Sequence, residues 1–99
     1  MLCLNTAGAL IGYYKVSAGG MTATVADVRV IATVALQSAA TQVIVMHNHP
    51  SGNLQPSRAD EELTEKVKNG LNLLDIKLVD HLIVTTNGYY SFADEGKIY

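Results

Sequence analysis

The chain has 99 residues, 48% of them hydrophobic and 16% charged, with a formal charge of −2. That length makes one small domain spanning 1–99, which buries roughly 60–70% of the surface its unfolded chain would expose, with no room for a second core. The seven basic residues are scattered, which argues against direct nucleic-acid binding, and no run approaches the roughly 20 apolar residues needed to cross a bilayer.

Leu2-Cys3-Leu4-Asn5 reads as the end of a strand, Asn5-Thr6-Ala7-Gly8 as a turn, and Ala9 to Ser17 as the returning hairpin strand, with Tyr13 and Tyr14 at its aromatic positions. The segment lacks the basic start of a signal peptide and is interrupted by Asn5, Gly8 and Gly12. Cys3 has no partner for an internal disulfide, and its apolar setting suits a buried thiol in a reducing compartment. These features point to the cytoplasm. Gly19-Gly20 marks a loop, and Val25 to Ala40 carries Val28, Ile31, Ala35 and Leu36 at helical spacing, with Thr24 or Asp27 as N-cap.

Gln42 to Met46 is a continuous apolar and β-branched run, the pattern of a buried strand. His47 and His49 follow it. Alternate strand residues share a face, so both imidazoles can converge on one cation. Pro50 stops the strand, Gly52 permits a sharp turn, and Pro56 precedes Ser57 at the N-cap position of a second helix, Ser57 to about Leu74. Asp60 falls in that helix's first turn, where its carboxylate can join the imidazoles as a third ligand and leave a fourth position for water. Taken singly, Ser-x-x-acid is an ordinary capping arrangement and a His-x-His pair often only bonds backbone. Their combination is what points to a metal.

The second helix has Leu63, Val67, Leu71 and Leu74 on one face and Glu61, Glu62, Glu65, Lys66 and Lys68 on the other. Ile76 to Thr85 reads as a strand, Asn87-Gly88 as a hairpin turn, Tyr89 to Phe92 as the strand that pairs back, and the last residues as a frayed tail. Strand, helix and strand in succession argue for an α/β sandwich around a central sheet. Asp80-His81 invites a reading as an acid orienting a histidine, but an internal strand histidine is more often structural, so the pair is left out of the site.

The order His-x-His, seven residues, Ser-x-x-Asp over 47–60 matches the metal-binding signature of the JAMM (MPN+) family, which includes deubiquitinating metalloproteases. The words HNHPSG, PSRAD and DHLIV followed by YYSF resemble the RadC-type branch of bacterial JAB-domain proteins, from about Leu2 to Phe92. The resemblance implies a JAB/MPN, cytidine-deaminase-like fold: a central mixed, mostly antiparallel sheet flanked by helices. It implies a zinc ion held by His47, His49 and Asp60, with Ser57 stabilising the oxyanion or orienting the water during hydrolysis of a peptide or isopeptide substrate. A Ser57 nucleophile is excluded on this reading, since both candidate histidine bases are ligands.

The family's general base is a glutamate on the first strand, whereas here Glu61, Glu62, Glu65 and Glu95 all follow the motif. The RadC-type pattern places the base a few residues before Leu2. The expectation is therefore that the chain begins inside the domain with an incomplete first strand, or that this member has lost the base. Val28-Arg29-Val30 also departs from the Pro-Arg-Glu run common in the family, and the helix-hairpin-helix region that usually precedes such domains is absent. The reading is a RadC-like zinc hydrolase, nominally associated with DNA repair. The alternatives are an inactive JAB scaffold or a DNA-repair interaction module, and a homo-oligomer is compatible with any of these.

Overall fold

The β-branched run ahead of the histidines becomes the middle strand of a five-stranded sheet. A computed structural model describes residues 1–16, 27–49 and 51–98. The strands are β1 (Leu2–Leu4), β2 (Leu10–Tyr13), β3 (Gln42–Asn48), β4 (Lys77–Thr85) and β5 (Gly88–Ser91), in the order β2-β1-β3-β4-β5. Only β3 and β4 run parallel, and the other neighbours are antiparallel, which gives the mixed, mostly antiparallel sheet of an α/β fold. A parallel pair needs a crossover longer than a hairpin. Helix α2 (Arg58–Asn72) supplies it, and α1 (Val28–Gln37) precedes β3.

The pairing register places Cys3, Val43 and Leu78 side by side on one face of the sheet. They and Val45 form one buried cluster with Ile31 and Ala35 of α1 and Val67 and Leu71 of α2. Both helices thus press their apolar stripes on the same sheet face. Asp27 is the N-cap of α1, its carboxylate accepting the Arg29 N–H at 2.8 Å. Thr24, the other candidate cap, lies outside the described residues, as do Gly19-Gly20, the first residues of the expected helix and Pro50.

Several expectations shift. Leu36 is 54% exposed and Leu74 is 42% exposed: Leu36 stands about 100° round α1 from the buried Ala35, and Leu74 follows the end of α2. The β4–β5 hairpin forms, but Thr85 pairs with Gly88, so its loop residues are Thr86 and Asn87. Gly88, at φ 149°, opens the return strand in a conformation that disfavours other residues. The tail does not fray. Lys97 N–H donates to the Phe92 carbonyl at 2.8 Å, Lys97 Nζ reaches Glu61 at 3.2 Å, and Ile98 packs on the core. Among the described residues no helix is long and apolar enough to cross a membrane.

β4 carries one extra residue opposite β3. Val43 pairs with Leu78 but Ile44 pairs with Asp80, so Val79 bulges. A bulge reverses the alternation beyond it. His81 consequently pairs with Val45 and points to the same face as Leu78, towards α2.

The core assignment predicts contrasting costs for two leucines two residues apart. Leu71→Ala, at a fully buried position, should lower unfolding free energy by about 2–5 kcal/mol in a urea titration. Leu73→Ala, at an 86% exposed position, should stay within about 0.5 kcal/mol of wild type.

Candidate metal centre

Three side chains from two elements meet at the C-terminal end of β3. His47 belongs to the strand, and His49 stays extended one residue past its end because its N–H still bonds the Val84 carbonyl at 3.2 Å. The two rings therefore fall on the same side, with centroids 4.9 Å apart. The chain then turns at Gly52, whose N–H returns to the His49 carbonyl at 3.0 Å and whose φ of 78° favours glycine.

The third side chain is placed by the start of α2. Ser57 is its N-cap, with Ser57 Oγ accepting the Asp60 N–H at 3.1 Å and Ser57 N–H donating to Asp60 Oδ2 at 2.8 Å. This reciprocal pair is a capping box with aspartate in place of the usual glutamate. It fixes the carboxylate of Asp60, which is 8% exposed, at the helix N-terminus, where negative charge is favoured. The parallel crossover brings that terminus back over β3. Asp60 Oδ1 lies 2.9 Å from His47 Nε2, and Oδ2 lies 3.0 Å from His49 Nε2. Ligand atoms of His47, His49 and Asp60 all fall within 4.8 Å of one another.

The hydrogens decide what this cluster can hold. His49 Nδ1 is 2.8 Å from the Asn53 carbonyl oxygen. A carbonyl only accepts, so Nδ1 carries a proton, which leaves Nε2 as the ring nitrogen available to a metal and turned towards Asp60. Burial, reinforced by the neighbouring His49 and opposed by Asp60, lowers the pKa of His47. Burial works against ionisation of Asp60, but the Ser57 hydrogen bonds and the facing imidazoles outweigh it and hold the carboxyl below its usual range. An ionised carboxylate facing two imidazole nitrogens at 3 Å or less makes a place for positive charge, carried by protons on the rings or by a cation in their stead, and this donor set suits a divalent metal.

All three residues expected as ligands are thus brought together. Ser57 acts as helix cap, and that bond uses an oxygen lone pair and leaves the hydroxyl hydrogen uncommitted. Asp80 does not touch the imidazole beside it. Its carboxylate accepts the His81 N–H at 2.7 Å, the Ser91 hydroxyl at 2.5 Å and the Ala93 N–H at 3.0 Å, tying β4 to the chain after β5. His81 is only 1% exposed, and its Nε2 lies 3.0 Å from His47 Nδ1. Burial, helped by the nearby His47, pushes its pKa down to about 4, so the ring is neutral near pH 7. Thr64, one turn after Asp60 on the same face of α2, reaches His81 Nδ1 at 2.5 Å. Sequence reasoning set His81 aside as structural and missed Thr64, although the i, i+4 spacing of Asp60 and Thr64 was visible.

A family model for the RadC-like JAB domain matches residues 1–97. A UPF0758 protein of Flavobacterium johnsoniae is 46% identical over 96 residues, covering 97% of this chain and 42% of that protein. A UPF0758 protein of Porphyromonas gingivalis is 45% identical over 97 residues, covering 97% and 43%. One from Thermotoga maritima is 38% identical over 98 residues, covering 99% and 44%. The chain spans less than half the length of these curated relatives.

The geometry predicts one divalent cation per chain. Equilibrium dialysis of the purified protein should give a stoichiometry of about one, which falls to background when His47→Ala and His49→Ala are combined. Full stoichiometry in the double variant would rule out this ligand set.

Proposed function

The chain belongs to the RadC-like JAB domain family, and on that premise we propose that His47, His49 and Asp60 hold a zinc ion in a site that hydrolyses peptide or isopeptide bonds. The supporting observation is the convergence of His47 Nε2 and His49 Nε2 on the two oxygens of one carboxylate, at 2.9 and 3.0 Å. Tetrahedral zinc with bonds of about 2.0–2.1 Å separates its ligand atoms by about 3.3 Å, and the two histidine–Asp60 distances of 2.9 and 3.0 Å stand within a few tenths of an ångström of that. When bound, zinc polarises a substrate carbonyl and makes a water nucleophilic near neutral pH.

The side chains divide the remaining work. Both imidazoles are taken up as ligands, so neither serves as a base for Ser57, and no covalent serine intermediate is proposed. Ser57, exposed at the N-terminus of α2, donates its uncommitted O–H to the developing oxyanion. A peptide-like substrate accords with the net charge of −2 and the scattered lysines, which offer little to a nucleic-acid backbone. A cytoplasmic setting and a role connected with DNA repair belong to the same proposal.

The general base is the weak point of this constellation. Among the described residues Glu61 pairs with Lys97, Glu62 pairs with Arg58, and no glutamate joins the His47, His49 and Asp60 cluster. This favours a second reading, a metal-holding scaffold that binds partners without turnover. In the hydrolase reading the base is a glutamate preceding the position of Leu2 in longer proteins of the family.

A direct assay separates the two. The zinc-loaded 99-residue chain should cleave a peptide library, or an isopeptide-linked conjugate, slowly at best. The same chain preceded by the corresponding segment of the Flavobacterium johnsoniae relative should be faster by about 10²–10⁴, the usual contribution of a general base. Asp60→Ala should abolish cleavage in both. Zinc binding with no product from either form would support the scaffold. Equal rates in both would place the base elsewhere.

A further inference from the structure

We propose that Thr64 and His81 are positioning residues that set the tautomer of His47 and thereby aim its Nε2 lone pair into the metal centre. The proposal rests on the metal-site reading above and extends it to two residues outside the ligand set.

The argument is a count of hydrogens. Thr64 has one hydroxyl hydrogen, and it goes to the Asp60 backbone carbonyl at 2.9 Å. Towards His81 the hydroxyl can then only accept, so the 2.5 Å contact requires the proton on His81 Nδ1. A neutral ring protonated at Nδ1 has an accepting Nε2. His47 Nδ1, 3.0 Å away, must therefore donate to it. In the neutral ring that makes Nε2 the nitrogen without a proton, and it stands 2.9 Å from Asp60 Oδ1. The relay starts at the main chain of Asp60 and returns to its side chain through Thr64, His81 and His47.

The surroundings hold His81 to this task. Phe92 stacks on its ring with centroids 4.7 Å apart and planes 6° from parallel, and Thr64 is itself buried. The rotation of either ring would break a buried hydrogen bond. The two ligand histidines are thus oriented by different devices, His49 by the Asn53 carbonyl in the loop and His47 by a relay through the core. Outer partners of this kind fix ligand orientation, and their removal commonly weakens metal binding about 10–100-fold.

Thr64→Val removes the hydroxyl at nearly constant volume, and Thr64→Ser restores it. Zinc affinity measured by chelator competition should fall about 10–100-fold in Thr64→Val and stay near wild type in Thr64→Ser. A second readout needs neither a variant nor a metal. In metal-free wild-type protein labelled with ¹⁵N-histidine at pH 8, the ring nitrogen shifts should show both His47 and His81 protonated at Nδ1. Wild-type zinc affinity in Thr64→Val, or His81 protonated at Nε2, would overturn the relay. Wild-type rings in the stated tautomers without any zinc uptake would uphold the relay and overturn the metal centre. Zinc uptake indifferent to Thr64 would do the reverse.

Discussion

An ionised carboxylate held within about 3 Å of two imidazole nitrogens calls for positive charge between them, which a metal ion of this ligand preference can supply. Asp60 is in that position, with one oxygen facing His47 and the other facing His49. Much of the fold can be read as the apparatus that enforces it. The extended end of β3 puts both histidines on one side, the capping box locks Asp60 in the first turn of α2, and the parallel β3–α2–β4 crossover brings the two together. Metal binding is then coupled to folding, since any ion that binds only the assembled site adds its binding free energy to stability.

The same residues serve structure and chemistry at once. Ser57 and Asp60 satisfy the free N–H groups at a helix start, an arrangement any helix can use, and the carboxylate fixed in this way stands where it could also serve a metal. A lone capping box carries no such meaning. Its position over the end of β3 gives it one, and the match of the RadC-like JAB family model across residues 1–97 is consistent with that use. A general base would follow a different logic, because a carboxylate acting on water needs to approach the metal without being a ligand. Among the described residues no glutamate joins the cluster, and Glu61 and Glu62 of α2 form exposed pairs with Lys97 and Arg58.

What could be read from the sequence was what depends on short-range spacing. His47, His49, Ser57 and Asp60 lie close together along the chain, so period-2 alternation and a capping pattern were enough to bring them into one site. The strands and helices were legible for the same reason. Leu36 and Leu74 were grouped with the apolar faces because helical periodicity says which residues share a face but not how wide the buried stripe is or where the helix ends. His81 was set aside because an internal strand histidine is more often structural, and strict alternation in β4 would in any case turn it away from Leu78. The extra residue at Val79 reverses that, and no local property of Leu78-Val79-Asp80 announces a bulge. The ordered tail was missed because its contacts, Lys97 to Glu61 and Ile98 to the core, are long-range.

X-ray absorption at the zinc edge of the loaded protein tests the central claim most directly. The account predicts imidazole scattering from two histidines, with nitrogen and oxygen neighbours at about 2.0–2.1 Å and no sulfur. His47→Ala should remove one imidazole from the spectrum. A sulfur neighbour at about 2.3 Å would implicate Cys3, which is fully buried in the core. That result, or a shell of oxygen neighbours with no imidazole, would contradict the assignment of His47, His49 and Asp60 as the metal ligands.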